Sequence, residues 1–282
     1  MITTRQGIRV LGPADLDDFL ALVERDPVVN VFADYRARTT RLQPRWLGGE
    51  VWGRYAGGEL TSACHVAANL VPIGADVDAA RAFAEHAPQR IRSVSTIVGP
   101  HEAVETLWNA VAPRWGSPRE VRLGQPHLEI RDTPLVPADP GVRRTTRADL
   151  DALYPACVAM YTEEVGVSPE RGGGADLYRA RVAQLVARGW SFARFDAEGR
   201  VVFKAEVACS SPYAAQVQGV WVAPAHRGRG VAAAGMAAVV QAVRADIAPV
   251  VSLYVNEWNT PARRTYERVG FVESARFTTV ML

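Results

Sequence analysis

The chain has almost no lysine. Of its 32 basic side chains only Lys204 is a lysine and the rest are arginines, a bias expected of GC-rich coding, so an arginine here carries little weight by itself. Cysteine is scarce too. Cys64, Cys157 and Cys209 are odd in number and lack any Cys-x-x-Cys spacing, which excludes a disulfide framework and a cysteine-based zinc site and predicts buried, unreactive thiols and no metal. Long apolar runs are missing, since no stretch approaches the roughly 18 residues a membrane helix needs. The opening "MITTRQGIRVLGPADL" has no apolar segment following a basic one, and the expectation is a soluble, cytoplasmic protein without a membrane partner. A surplus of one charge is also absent: 32 basic against 30 acidic residues leave +2, which gives no field for a polyanion and no reason to expect nucleic acid.

What the chain has is length and apolar content. At 282 residues and 48% hydrophobic it exceeds the usual single-domain size and can bury two cores. An internal repeat supports a division into two. "IRVLGPADLDDF" (8–19) aligns with "VRRTTRADLDAL" (142–153), and Ala-Asp-Leu-Asp stands at 14–17 and again at 148–151. In each copy a short strand leads to a helix start, with Asp15 or Asp149 placed to favour the first turn. The proline-rich "RDTPLVPADPG" (131–141) lies where a linker is needed. The expected division is 1–134, a linker at 135–141, and 142–282.

Periodicity orders the elements similarly in both halves. The first reads as a helix, a β-hairpin turning at Gly57-Gly58, a helix over 76–87, a strand over 91–99, a helix over 103–115 and a strand over 120–131. The second reads as a strand at 142–145, helices from Asp149 and over 176–189, and strands at 190–195, 201–209 and 215–222. A helix over 230–245, a strand at 250–255, a helix over 261–268 and a short β end complete it.

"PAHRGRGVAAAG" (224–235) packs three glycines and two arginines between the strand "AQVQGVWV" and a small-residue helix. Glycines let successive backbone N–H groups approach a phosphate, and a helix N-terminus adds a positive dipole. Taken literally, residues 228–233 satisfy Gly-x-Gly-x-x-Ala, the loose dinucleotide fingerprint. That fold places the loop after its first strand and needs several further βαβ units, and only eleven residues remain after Phe271. A P-loop is excluded because no Gly-Lys-Ser/Thr follows Gly230.

The same residues fit another pattern, Arg/Gln-x-x-Gly-x-Gly/Ala, through Arg227-Gly228-Arg229-Gly230-Val231-Ala232. Downstream, "NTPARRTYERVGF" (259–271) fits Asn-x-x-Ala-x-x-x-Tyr-x-x-x-Gly-Phe. With these two spaced motifs, residues 142–282 resemble the GNAT superfamily of N-acetyltransferases. The resemblance implies an α/β (α+β) fold of tandem GNAT-like domains, each a mixed, mostly antiparallel sheet flanked by helices. It implies that 227–232 hold the pyrophosphate of acetyl-coenzyme A, that Val220, Trp221 and Val222 bind the pantetheine and acetyl carbonyl through their backbone, that Asn259 contacts the pantetheine arm, and that Tyr266 protonates the departing thiolate. The first half has no Arg-Gly-Arg-Gly; its "LVPIGADVDAA" offers one glycine and two aspartates where phosphate donors belong, so it is expected to be a degenerate, structural copy.

GNAT chemistry is direct attack of a neutral amine on the thioester, so no cysteine nucleophile is required. A base for the amine's proton is sought on the strands, where Glu206 is the candidate; Lys204 shares its face of the strand, and an ion pair between them is an equal alternative. Glu163 and Glu164 fall in the segment that lines the acceptor side in this family, where they could hold a cationic amine or be a solvated helix end. The expected function is N-acetylation of a primary amine, carried by a small molecule or a peptide. The alternative is a coenzyme-binding or regulatory protein that keeps the fold without turnover.

Overall fold

The computed structural model describes residues 7–87 and 94–282, so residues 91–93 of the strand expected at 91–99 lie outside the described residues. Contacts divide the chain into two compact units. The first takes residues up to Leu128 together with Tyr254–Asn259 and Glu273–Leu282; the second takes Glu129–Leu253 and Thr260–Val272. A single cut at the proline-rich segment therefore does not describe the packing, because the last strand of the chain is built into the first unit.

In the first unit β1 (Ile8–Val10), α1 (Leu16–Val23), α2 (Val31–Thr40) and the short α3 (Pro44–Leu47) precede β2 (Glu50–Ala56) and β3 (Glu59–Val66). Then come β4 (Asn69–Ile73), α4 (Val77–His86), β5 (Thr96–Pro100), α5 (His101–Trp115) and β6 (Glu120–Ile130). Strands β1 to β4 pair antiparallel in sequence order. Beyond β5 the sheet is completed by the C-terminal strand β12 (Val272–Met281), which pairs antiparallel with β5 and neighbours β6. The expected short β end is thus a ten-residue strand.

Alternate residues of this sheet serve two cores, as the two-residue strand period requires. Val51 and Ala63 join the helices α1 and α2 in one cluster, while their neighbours Trp52 and Cys64 join α4 and α5 in the other.

The second unit repeats the order with β7 (Arg143–Arg144), α6 (Leu150–Val165), α7 (Ala175–Ala187), β8 (Ser191–Phe195), β9 (Val201–Ser210), β10 (Ala214–Val222), α8 (Val231–Asp246), β11 (Val250–Tyr254) and α9 (Thr260–Val269). Its strands lie in the order β7-β8-β9-β10-β11. Along β9 the faces alternate again. Phe203 meets α8, where Gly235 lies against its ring, and Lys204 and Glu206 point to the opposite face, where Met160 of α6 approaches their bonded group.

Each unit has a mostly antiparallel sheet with, among the described residues, a parallel pair that parts. In the second unit β10 and β11 are in register from Ala214↔Val250 to Gln216↔Ser252, after which β10 continues to Val222 paired with β9 and without β11. In the first, β4 and β5 pair at Asn69↔Thr96 and Leu70↔Ile97, and β4 runs on to Ile73.

Candidate active site

Where β10 leaves β11 it also breaks register with β9. Gln218 faces Glu206 and Trp221 faces Lys204, so Gly219 and Val220 together oppose Ala205 alone in a β-bulge. Gly219 adopts φ +61°, and a Cβ there would lie 3.0 Å from Lys204 Nζ and 3.1 Å from both Glu206 Cδ and Met160 Cε. The left-handed φ favours glycine, and a side chain there would press on these three groups. The glycine inside the strand pattern "AQVQGVWV" was the available signal for this bulge.

Under the bulge sits a buried ion pair. Lys204, with no exposed side-chain surface, donates from Nζ to Glu206 Oε2 at 3.0 Å and to the Gly219 carbonyl at 3.0 Å, and Gln218 Nε2 donates to Glu206 Oε1 at 2.9 Å. Burial works most strongly against the ammonium, but the Glu206 carboxylate and the Cys157 sulfur together outweigh it and hold Lys204 above its ordinary value. Both oxygens of Glu206 are thus engaged, and the ion pair that its shared strand face with Lys204 allowed is formed.

Beyond Val222 a short 3-10 turn, Pro224–His226, leads into the glycine loop. Arg227 folds back, donating from Nε to the Val222 carbonyl at 2.9 Å and from its guanidinium to Glu163 Oε2 at 2.8 Å; Glu163 Oε1 accepts from Trp221 Nε1 at 3.1 Å. Glu163 therefore ties the end of α6 to the end of β10 and to the loop. Gly228 and Arg229 are exposed. Gly230 is the N-cap of α8 at φ +77°, with no side-chain cap on the helix and no atom within 4 Å of where a Cβ would stand. The first N–H groups of α8, at Val231 and Ala232, carry no side chain cap, which is the arrangement a phosphate needs.

Tyr266 lies in α9, buried, with its ring set edge-on to Phe271 at 5.8 Å between centroids. Burial, reinforced by the negative charge of Glu164, raises its hydroxyl well above the ordinary tyrosine value, so it stays protonated at neutral pH. Glu164 is itself exposed at the C-terminal end of α6. Asn259 falls in Tyr254–Asn259, the segment grouped with the first unit, and its backbone N–H donates to the Asn256 carbonyl at 2.9 Å. The thiols are buried; burial pushes Cys157 up to about 11 and Cys209 up to about 12, as unreactive thiols require.

The first unit shows what a filled helix start looks like. There the strand β4 leads through Gly74 and Ala75 to Asp76, the N-cap of α4, whose carboxylate accepts from the Ala79 N–H at 2.8 Å. The chain's own carboxylate occupies the place that α8 leaves bare.

Residues 187–271 match the Acetyltransferase (GNAT) family, and residues 49–153 match a domain of unknown function, DUF4081. A mycothiol acetyltransferase of Brachybacterium faecium is 34% identical over 133 residues, which make up 43% of this chain and 38% of that protein, so the chain spans well under half the length of this relative. Among solved structures, a GCN5-related N-acetyltransferase from Sphaerobacter thermophilus aligns over 99% of this chain and 96% of its own, with a TM-score of 0.63 at 18% identity. A tandem GNAT protein from the clavulanic acid biosynthesis pathway aligns over 98% of each chain, with a TM-score of 0.54 at 17% identity. These structural likenesses are of fold.

Proposed function

We propose, from the match of residues 187–271 to the GNAT acetyltransferase family, that the chain transfers an acetyl group from acetyl-coenzyme A to a primary amine by direct attack on the thioester. The observation that carries this reading is the start of α8: a bare Gly230 in the left-handed conformation, uncapped and uncrowded, follows a strand that has parted from its parallel neighbour. The loop Arg227–Ala232 would cradle the pyrophosphate with backbone N–H groups. The Val220–Val222 segment would receive the pantetheine and the thioester carbonyl, with Asn259 proposed on the pantetheine arm.

The chemistry divides among few groups. Attack converts the carbonyl carbon to a tetrahedral centre, whose oxygen gains negative charge and is stabilised by backbone N–H groups of the bulge. Collapse expels the thiolate, and the Tyr266 hydroxyl, kept protonated by its burial, donates its proton to that sulfur. Glu164 supplies negative charge toward a cationic acceptor, and Glu163 acts on the same side by bracing Trp221 and Arg227. Glu206 is proposed to hold the bulge instead of taking the amine's proton, which passes to water, while water returns a proton to the Tyr266 phenolate. A Glu206→Gln variant with a flattened basic rise of rate at unchanged KM would return it to the proton path.

The experiment is a screen of small amines and peptide N-termini for acetyl-dependent release of coenzyme A. Release with one amine class and binding of acetyl-coenzyme A by calorimetry would establish the enzyme. Binding without release across the panel would favour the non-catalytic coenzyme-binding alternative, and no binding would overturn the reading.

A further inference from the structure

In a chain that uses arginine almost everywhere, the one lysine stands at the bulge. Its compact ammonium meets two acceptors there, Glu206 Oε2 and the Gly219 carbonyl. A point-like ammonium can serve both from beneath the bulge, where Met160 also closes on Gly219, whereas the wide planar fork of arginine needs more room. The remaining contacts tighten the same point. Gln218 fixes the other oxygen of Glu206, and the Tyr178 hydroxyl donates to the Cys157 carbonyl at 3.0 Å, which holds α6 against α7 above the cluster.

The consequence runs through one peptide unit. The Gly219–Val220 peptide is trans, so its N–H points away from its carbonyl. Gly219 and Val220 are the two bulged residues, released from one-to-one register with β9. Anchoring the Gly219 carbonyl therefore fixes the direction of the Val220 N–H, which the ladder alone would leave loose.

We propose that Lys204 is a positioning residue: held by Glu206, its ammonium locks the Gly219 carbonyl and so presents the Val220 N–H to the carbonyl oxygen of the acetyl thioester. This rests on the acetyl-coenzyme A reading above. Lys204 touches neither substrate; it acts through the backbone. The pair is thus retained for geometry, since two buried charges contribute little net stability over apolar residues of the same size.

The test needs no knowledge of the acceptor. In nitrogen-15-labelled protein, coenzyme A and acetyl-coenzyme A are titrated separately and the amides of Gly228–Ala232 and of Val220 are followed. Both ligands are expected to shift the loop amides, and only the acetylated one to shift Val220 further. In the double variant Lys204→Met with Glu206→Gln, which leaves no unpaired buried charge, the loop response is expected to persist while the acetyl-dependent shift at Val220 is lost. Gly219→Ala, which strains the bulge from the other side, is expected to lose it as well and serves if the double variant fails to fold. An acetyl-dependent Val220 shift that survives in either folded variant, or is absent from the wild type while the loop responds, overturns the role of Lys204 alone. No response at the loop in the wild type overturns the coenzyme reading and this inference with it.

Discussion

At the scale of the residue, two buried side chains carry measurable consequences. Tyr266 packs on Phe271, and its hydroxyl is the group assigned to the leaving thiolate. Replacing Tyr266 by Phe keeps the ring and removes the proton donor, so coenzyme affinity is expected to hold while turnover falls by about 10- to 100-fold. Turnover equal to wild type would reduce Tyr266 to a packing residue. His65 of β3 is buried edge-on to Phe32, and burial, with the nearby Arg36 charge, lowers its imidazole to about 4. The unfolded chain binds this proton below its ordinary value near 6.5, while the folded chain resists it until about 4. Stability therefore falls as the pH drops through that window, by about 1.4 kcal/mol per unit of pH for one such group. The urea midpoint of the wild type is expected to fall relative to that of His65→Leu as the pH drops from 7 to 4; parallel curves would contradict the assignment.

At the scale of the element, the two helix starts that betray the repeat are built alike. Arg9 forms a two-pronged pair with Asp15 and lies over Tyr55, and Arg143 does the same with Asp149 and lies over Phe195. Asp149 also accepts from the Thr146 N–H at 2.7 Å, as Asp15 does from Gly12 at 2.9 Å. The guanidinium bonds hold both carboxyls below the ordinary range, so their contribution is present above a pH of about 4 and is lost as acid protonates them. Asp149→Ala is expected to cost about 1 kcal/mol at neutral pH, the usual worth of a helix cap, and to lower Tm by about 2–4 °C. An unchanged Tm would leave the motif without energetic weight. The repeat was legible because Ala-Asp-Leu-Asp is a local signal whose capping chemistry is local. Strand β4 was not, since "NLVPI" carries a proline that argues against a strand and follows β3 after only Ala67 and Ala68. The length of β12 was hidden too, because its partner β5 lies far away in the sequence. The glycine loop proposed to hold the coenzyme was legible as a contiguous motif, whereas the Lys204–Gly219 bond joins residues on two strands and needs the register of the bulge to be seen.

At the scale of the whole molecule, the duplicated topology poses a question of stoichiometry. Each unit has a parallel strand pair that parts and a helix that starts just beyond it, so geometry alone would allow two coenzyme sites. The helix starts argue for one. At α8 the N-cap is Gly230 and no side-chain cap is formed among the described residues, whereas at α4 the Asp76 carboxylate is bonded to Ala79 N–H and would repel a second anion. Calorimetry is expected to give one acetyl-coenzyme A per chain. Gly230→Asp should abolish that binding, because it imposes a left-handed φ on a residue with a Cβ and sets a carboxylate where Asp76 stands in the first unit. The reciprocal change, Asp76→Gly, removes the plug but supplies no counterpart of Arg227–Gly228, so the count is expected to stay at one. Two sites in the wild type, or undiminished affinity in Gly230→Asp, would mean that the phosphate is held somewhere other than the start of α8.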